Sequence, residues 1–393
     1  MDPSQGKGKR KALLASAPPS SPPSWVILGS IARVCAADAD LPPGADLSLA
    51  LAPSPRVSLL TVPPRLFPDA PTARNFPAVL AADPSGLLLH ANQVRATGPL
   101  VTPPPPSTFA IPEPKLISER AFLSLLLHPG GGHRYVVAEL RLVVGRDHTY
   151  LYCFCSDVSE WVEKVVPRTI PHRLWVPDAV IAHHGRLWWA DLSFGLVTCD
   201  PFADAPVLAF VPLPPGKALG YGEAARVLDR YRVVGLSAGK LRFVDMYRNR
   251  DPRGALQVGV WTQPDPDATE WTLEHQVSLP DIWADRSYKA AGLPMKIPVL
   301  ALIHPKDPAV VYFFLKDHLF GVDLRSRSVV ECEVYELVAP DRNLVATRFV
   351  HAWELPPSLS SSSGKTKPLY CTPPDLLSSL ICIQFTPLSD VCC

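Results

Sequence analysis

The sequence predicts an all-β protein of the propeller type, with about six blades of antiparallel strands. Three observations predict this fold class. Hydrophobic residues make up 47% of the chain, which is enough for a large core. Proline occupies 46 of 393 positions, over twice its usual share of about 5%, and so many prolines argue against long helices. Finally, one short strand motif recurs along the chain.

The recurring motif reads Gly-x-Leu-x-Φ-x-Asp, where Φ is a bulky residue. Two copies fit it fully, from Gly185 to Asp191 and from Gly239 to Asp245. Looser copies run from Gly86 to Asn92 and from Asp317 to Asp323, the last without the glycine. The copies begin 99, 54 and 78 residues apart. This irregular spacing is built on units of about 50 residues, a kelch-like period.

Each position of the motif has a physical role in a strand that follows a turn. Glycine takes the positive φ of a tight turn without steric cost. Leu and Φ share one strand face, and the residues between them are mostly apolar, so both faces are covered. The closing Asp accepts a hydrogen bond from its own backbone two residues on and starts the next turn. Such a repeated strand is typical of a propeller blade. We expect the motif leucines, Leu88, Leu187, Leu241 and Leu319, to occupy the same place in successive sheets.

A second element, Asp-x-Ser/Thr-Glu-Trp, occurs twice and ends at Trp161 and Trp271, 110 residues apart. Most tryptophans fall within or beside predicted strands. A ligand-binding aromatic patch is one interpretation of them. We favour the other, that they pack the blades together, because large rings dominate the energetics of protein cores.

The domain organisation follows from composition. Residues 1–23 are predicted to be a disordered, basic, proline-rich tail, residues 24–357 the propeller-like domain, and residues 358–393 a disordered tail rich in Ser and Pro. The candidate blades are 24–65, 77–127, 133–166, 174–213, 230–278 and 297–338. The strand from Phe349 to Glu354 is expected to close the ring against the first blade. Short helices are predicted only at 119–127 and 222–230.

Charge and cysteine content suggest a cytoplasmic or nuclear protein. Lys and Arg (38) balance Asp and Glu (37), so nothing favours nucleic-acid binding. No signal peptide and no apolar run of membrane-spanning length occurs. The nine cysteines show no disulfide spacing, which is typical of reduced thiols. The basic cluster Lys7–Lys11 leaves nuclear import as an alternative.

No catalytic, cofactor-binding or metal-binding residue is predicted. Ser237 lies in a Gly-x-Ser-x-Gly pattern, but a strand pattern follows it where a nucleophile elbow requires a helix. Cys153 and Cys155 share one strand face without a second zinc-spaced pair, so we interpret them as buried apolar residues. The terminal Cys392 and Cys393 are similar to the double lipidation site of Rab-type GTPases. This chain is not such a GTPase, so we regard lipidation as the weaker alternative.

Several longer phrases resemble a known family. They are Ser24-Trp-Val-Ile-Leu28, Gly185-Arg-Leu-Trp-Trp-Ala-Asp-Leu-Ser193, Cys199-Asp-Pro-Phe202, Leu300-Ala-Leu-Ile-His-Pro-Lys306 and Arg348-Phe-Val-His-Ala-Trp-Glu-Leu-Pro356. Together they resemble the plant domain-of-unknown-function family 1618, which is expanded in grasses. The resemblance covers about residues 24–357. It implies a propeller-like fold distantly similar to kelch and F-box-associated domains, and it brings no catalytic residue or cofactor. The 23 residues before Ser24 do not resemble an F-box.

Two functions from different classes follow. The first is a non-catalytic protein-interaction module, monomeric, that docks an unknown protein partner on its loops. The second is an enzyme or small-molecule binder that uses the central channel. Convergent His, Asp or Glu side chains in the channel would favour the second function. A channel lined by Gly, Ala and Val would disfavour it.

Overall fold

The fold is that of a computed structural model of the chain. It describes residues 23–37, 41, 47–68, 70–72, 76–83, 86–92, 109–111, 123–130, 134–143, 145–220, 222–224, 227–335, 350–356, 369–370 and 380–385. The basic cluster Lys7–Lys11 and the terminal Cys392 and Cys393 lie outside these residues. In the described part of the chain no helix is both long enough and apolar enough to cross a bilayer.

Strands dominate the described chain. In order they are β1 (Trp25–Gly29), β2 (Arg33–Val34), β3 (Ser48–Ala50), β4 (Val57–Val62), β5 (Ala78–Asp83), β6 (Gly86–Asn92), β7 (Phe109–Ile111), β8 (Ser124–Leu127), β9 (Tyr135–Arg141), β10 (His148–Cys155), β11 (Glu160–Pro167), β12 (Ala179–His183) and β13 (Arg186–Asp191). The later strands are β14 (Gly195–Cys199), β15 (Ala209–Pro212), β16 (Arg232–Ser237), β17 (Lys240–Asp245), β18 (Gln257–Thr262), β19 (Thr272–Ser278), β20 (Val299–Ile303), β21 (Val310–Leu315), β22 (His318–Asp323), β23 (Ser328–Val334), β24 (Val350–Glu354), β25 (Leu369–Tyr370) and β26 (Leu380–Phe385). A 3-10 turn (Leu228–Arg230), α1 (Leu279–Ala284) and α2 (Arg286–Ala290) complete the set.

The strands form six sheets, as predicted. Blades 3 to 6 are four-stranded meanders of consecutive strands, β8 to β11, β12 to β15, β16 to β19 and β20 to β23, and all their pairs are antiparallel. Blade 1 is built from β24, β1, β4 and β3, with β2 and β25 at its margin, and β1 runs parallel to β4. Blade 2 holds β5, β6 and β7, with β26 between β6 and β7 and parallel to both.

The innermost strands close a ring. Strands β24, β5, β8, β12, β16 and β20 each end their sheet on one side, and each contacts the next around a circle of six. The six strands run in the same direction. Between β24 and β5, His351 binds Val79 near the start of both strands, and Trp353 binds Asp83 near the end of both strands. We call the side where these strands begin the upper face and the side where they end the lower face.

Ring closure joins distant parts of the sequence. Strand β24 pairs antiparallel with β1 over five residues, from Trp25 opposite Glu354 to Gly29 opposite Val350. The strand that precedes Pro356 therefore completes the first blade, as the sequence predicts. A propeller closed in this way has no exposed sheet edge at the junction of its first and last blades.

The recurring motif holds a constant place in three blades. Leu88, Leu187 and Leu241 lie in the second strand from the centre, in β6, β13 and β17. Leu319 differs, because it lies in β22, the third strand of blade 6. Its copy lacks the first glycine, and the chain turns there through Lys316 with φ 56°. The loosest copy is therefore the one in a non-equivalent position.

The core consists of apolar layers between neighbouring blades rather than of one centre. Trp188 and Trp189 show this most clearly, because adjacent residues of a strand face opposite sides. Trp188 packs between blades 4 and 5 with Phe243, whereas Trp189 packs between blades 3 and 4 with Val136, and both tryptophans are fully buried. One dipeptide therefore fills two inter-blade interfaces.

Two expectations about local structure are wrong. Ser124–Leu127 is strand β8, the inner strand of blade 3, and is neither helical nor part of blade 2. The predicted helix at 222–230 is reduced to the 3-10 turn Leu228–Arg230. A run of four apolar or small residues fits a buried strand as well as a helix, and its partners in space decide between them.

Helices α1 and α2 were not predicted. Ser278 caps α1 by accepting a hydrogen bond from the Asp281 N–H at 3.4 Å, and Asp285 caps α2 by accepting one from the Ser287 N–H at 2.8 Å. Ser287 Oγ in turn accepts the Val329 N–H of β23 at 2.7 Å. The helix pair therefore covers part of the outer edge of blade 6, where an uncovered strand would invite pairing with another chain.

Candidate functional site

A cavity lies at the centre of the ring and forms an axial channel in the described fold. It has a volume of about 490 Å³, and all six inner strands contribute to its wall. Small-molecule sites in proteins commonly have volumes of about 300–1,000 Å³. The channel is therefore large enough to be a candidate small-molecule site.

The middle of the channel wall is aliphatic. The lining residues of the inner strands include Ala78–Ala82, Ala179–Ala182, Val233–Leu236 and Ala301–Ile303. Ser124 of β8 adds a hydroxyl that makes no hydrogen bond with the described residues. Because each inner strand is paired on one side alone, its other edge presents backbone N–H and C=O groups toward the axis.

The charged residues of the wall lie at opposite ends. Asp178 and Arg232 lie at the upper end, where β12 and β16 begin. Asp83 and Glu354 lie at the lower end, where β5 and β24 finish. The carboxylates are thus divided between the two ends, and the lining between them is mostly aliphatic.

Arg232 is the centre of a buried polar cluster at the upper end. Its Nε lies 2.9 Å from Asp245 Oδ1, and Lys217 Nζ lies 2.9 Å from the other oxygen, Oδ2. Arg232 Nη1 donates to the Leu192 carbonyl at 2.7 Å. The side chains of Arg232 and Asp245 are 1% and 0% exposed, so this pair is shielded from water.

Aromatic rings hold the guanidinium of Arg232. Its central carbon lies 5.6 Å from the ring centre of Phe243 and 5.5 Å from that of Tyr247, within the range of cation–π attraction. Lys217 Nζ lies 4.7 Å above the ring of Trp261. These contacts orient both cations. No described residue binds Arg232 Nη2.

His351 is fixed to the neighbouring blade. Its Nε2 lies 3.0 Å from the Val79 carbonyl oxygen, which can only accept a hydrogen bond, so Nε2 carries the proton. Burial lowers the pKa of His351 below its ordinary value of 6.5. Its ring is therefore neutral near pH 7 and links blades 1 and 2.

The closing aspartates of the motif make the turns that the sequence predicts. Oδ1 of Asp191, Asp245 and Asp323 each accepts a backbone N–H two residues on, from Ser193, Tyr247 and Arg325, at 2.8 Å in every case. They lie in three different blades and do not converge. Of the three, Asp245 alone also takes part in the channel cluster.

The motif glycines begin two of these strands. Gly185 and Gly239 both have φ +69° and follow His184 and Ala238, which also have positive φ. Both hairpins are thus tight two-residue turns of the type that requires positive φ at both positions. Gly86 begins β6 in blade 2.

The two Asp-x-Ser/Thr-Glu-Trp elements occupy matching places at the start of an outer strand. Trp161 is the second residue of β11, and its ring centre lies 5.7 Å from that of Phe154. Trp271 directly precedes β19, with its ring centre 6.2 Å from that of Phe243, and its Nε1 donates to the Pro212 carbonyl at 2.7 Å. Both rings contact their own blade.

The serine and cysteine candidates have structural surroundings. Ser237 is fully buried, and its Oγ donates to the His304 carbonyl at 2.6 Å. Cys153 and Cys199 are buried in the same layer between blades 3 and 4, and burial raises the pKa of the Cys199 thiol to about 12. Within the described ranges no group of three or more His, Cys, Asp or Glu residues is placed to hold a metal ion.

Part of the chain matches a known protein family. Residues 189–312 match the family DUF1618, described as a protein of unknown function. The match begins at Trp189 in β13 and ends at Tyr312 in β21, so it includes all of blade 5 and most residues of the Arg232 cluster. It supports the resemblance noted in the sequence. No curated protein matches the chain.

Several solved structures are similar to parts of the chain. A prolyl endopeptidase is 10% identical over 54% of this chain and 27% of its own, with a TM-score of 0.28. The β-propeller domain of Cps50 (Swd1) from Myceliophteria thermophila is 13% identical over 53% and 58%, with a TM-score of 0.26. Dihydro-heme d1 dehydrogenase NirN is 12% identical over 55% and 48%, with a TM-score of 0.23. This chain thus matches less than two thirds of the length of each of these three proteins.

Proposed function

We propose that the protein is a non-catalytic protein-interaction module that docks its partner on the upper face. The observation that carries this proposal is a set of exposed apolar side chains on the connections that enter three neighbouring inner strands. They are Leu174, Val176, Val227, Met295 and Ile297, between 37% and 72% exposed. Exposed apolar groups gathered on one side of a protein are typical of interaction sites.

The local sequence explains why these side chains are exposed. Leu174 and Val176 flank Trp175, which is buried. The ring centre of Trp175 lies 6.0 Å from that of Phe194 and 6.0 Å from that of Phe210. In an extended segment, neighbours of an inward residue point outward. Met295 and Ile297 are likewise two residues apart, with Lys296 between them, just before β20.

The connections nearest the axis bring these side chains around one opening. A connection that enters an inner strand must end at the ring, because the strand itself forms the channel wall. The two segments lead directly into β12 and β20, and Val227 precedes the 3-10 turn before β16. The apolar side chains therefore belong to blades 4, 5 and 6 on the upper face.

Charge distinguishes the two faces. In blades 3 to 6, the described upper connections, without the residues of α1 and α2, contain ten Lys and Arg and seven Asp and Glu. The described lower connections contain four Lys and Arg and seven Asp and Glu. Arg248, Arg250 and Arg253 form the densest basic stretch, and all three are exposed. A partner segment with acidic and apolar residues fits the upper face, since complementary charge accelerates association and excludes wrong partners.

The experiment is a selection of random peptides from a display library against the full chain. We expect enriched peptides to combine Asp or Glu with apolar residues and to bind more weakly as salt increases. The double variant Met295→Asp/Ile297→Asp should weaken their binding by about tenfold or more. The matched control is Val158→Asp/Val207→Asp, which changes two exposed valines on lower-face connections.

Circular dichroism and thermal unfolding of both variants confirm that the fold is kept. Failure to enrich any peptide would contradict the proposal. The proposal would also be contradicted if the peptides bound the upper-face variant as tightly as they bind the wild type. Equal weakening of peptide binding in the upper-face variant and the lower-face control would contradict it too.

A further inference from the structure

The axial channel combines an aliphatic body with a polar end whose hydrogen-bonding capacity is unfilled. Arg232 carries five N–H donors, and its hydrogen bonds to Asp245 and Leu192 use one on Nε and one on Nη1. Nη2 has no hydrogen bond to the described residues, and Arg232 lines the cavity, so this donor is available to an acceptor placed in the channel. A donor at the wall of an apolar cavity favours a ligand group that accepts from it.

We propose that this channel is a binding site for a small apolar molecule that ends in a carboxylate. The carboxylate accepts hydrogen bonds from Arg232 Nη2 at the upper end, and the apolar body lies along the aliphatic wall toward the middle of the channel. Arg232 and Leu192, the residue it binds, both line the cavity, which places this cluster in the wall. This site is separate from the proposed docking surface on the loops.

The rings around Arg232 explain why it can act as an anchor. Phe243 and Tyr247 lie near the guanidinium, and Asp245 fixes its Nε. The fork is therefore pre-organised, and a ligand does not have to immobilise a long flexible side chain. Pre-organisation of this kind is a main source of affinity in small sites.

The charges around the site define what it selects. Lys217 and Arg232 face Asp245, while Asp178 Oδ2 accepts the Leu192 N–H at 2.9 Å. These two cations and two carboxylates balance, so net charge does not attract the ligand. Selection comes instead from donors that lack an acceptor, which a carboxylate satisfies and an ammonium group does not.

The test uses isothermal titration calorimetry of the full chain with octanoate and, as the matched ligand without an acceptor, octylamine. We expect octanoate to bind at one site per chain and octylamine not to bind. Ala179→Leu adds volume to the wall beside Asp178 and should weaken octanoate binding by about tenfold or more. Ala290→Leu, on the exposed side of α2, is the control and should bind as the wild type does.

Arg232→Lys tests the anchor directly, because lysine keeps the charge beside Asp245 but lacks Nη2. We expect a folded protein with octanoate affinity reduced by about tenfold or more. If that variant does not fold, Ala179→Leu and the comparison of ligands decide the question. No heat with octanoate at millimolar concentration, equal binding of octylamine, or unchanged affinity in Ala179→Leu would each overturn the proposal. Peptide binding to the upper face is measured separately, so either proposal can fail alone.

Discussion

Arg232 and Asp245 form an ion pair that is closed to water, with Nε and Oδ1 2.9 Å apart and side chains 1% and 0% exposed. The pair joins the first two strands of blade 5, because Arg232 begins β16 and Asp245 ends β17, directly opposite it in the register. It also links blade 5 to blade 4 through the Leu192 carbonyl. One side chain thus connects a motif position, an inter-blade contact and the channel wall.

Removal of the carboxylate should destabilise the protein strongly. Asp245→Asn leaves Arg232, and in part Lys217, as buried cations without a counter-ion. We expect the free energy of unfolding to fall by about 3–5 kcal/mol, measured by urea unfolding at pH 7. The control is Asp191→Asn, the same motif position in blade 4, where Oδ1 binds Ser193. Its loss should be about 1 kcal/mol. Equal losses in the two variants would show that the cations need no counter-ion.

Gly195 should not tolerate a side chain. A Cβ there would lie 2.5 Å from the Val211 carbonyl oxygen and 2.7 Å from the Phe210 ring. The oxygen belongs to the paired strand β15 and cannot move away without disturbing the ladder. We expect Gly195→Ala to lower the free energy of unfolding by about 1–3 kcal/mol.

The matched control for Gly195 is Gly220→Ala. Gly220 has an ordinary φ, and a Cβ there would meet Glu223 at 3.6 Å, which is normal contact. The change should stay within about 0.5 kcal/mol. Thermal unfolding of the two variants side by side measures the difference, and a stable Gly195→Ala would show that β14 and β15 can separate.

Acid should weaken the ring at the junction of blades 1 and 2. Burial lowers the pKa of His351 below 6.5 and that of His183 to about 4. Above pH 6.5 both imidazoles are neutral in the folded and in the unfolded chain, so they do not change the free energy of unfolding. As the pH falls from 6.5 toward 4, the unfolded chain binds protons that the folded chain does not, so the folded state loses stability.

The variant His351→Gln isolates this contribution, because the Gln amide can still donate to the Val79 carbonyl. We expect its free energy of unfolding to fall less than that of the wild type between pH 7 and pH 4.5. His172→Gln, on an exposed part of the connection before β12, should follow the wild type. If the free energy of unfolding of His351→Gln fell with pH as steeply as that of the wild type, other groups would be the cause of the loss of stability.

The buried thiols should be inert in the folded protein. Burial raises the pKa values of Cys153 and Cys199, the latter from 9 to about 12. For Cys199 this reduces the reactive thiolate at pH 8 about a thousandfold, before any limit on access. Alkylation followed by mass spectrometry should label Cys35 at the margin of blade 1 much faster than either, and labelling of both in urea should be rapid. Fast native labelling of Cys153 would contradict the packing of blades 3 and 4.

Local sequence was sufficient for the strands and turns but not for the channel cluster. Gly185 and Gly239 marked tight turns, and Asp191, Asp245 and Asp323 marked the turns that follow, because glycine torsion and Asp side-chain bonding act within a few residues. The Arg232 cluster needs Lys217, Leu192 and Asp245, which come from separate segments. No periodicity records contacts between blades, so nothing local marked Arg232.

The structure differs from the sequence-based prediction at two further segments, and each difference has a physical cause. The run at Ser124–Leu127 is short and apolar, and its identity as an inner strand depends on the neighbouring blades. Helix α1 did have a signal, since Ser278 is followed by Pro280 and Asp281, a combination typical of a helix start. This signal did not lead to a predicted helix, because the high proline content of the chain argued against helices.

The pairing of β1 with β24 has a consequence for synthesis. The apolar segment Trp25–Gly29 leaves the ribosome early, yet its neighbour Val350–Glu354 is translated more than 300 residues later. At about 5–20 residues per second, that delay lasts on the order of 15–65 s. Throughout this interval β1 can pair with β4 on one edge, but its other edge has no neighbour, which makes the nascent chain a natural client for chaperones that bind exposed strand edges.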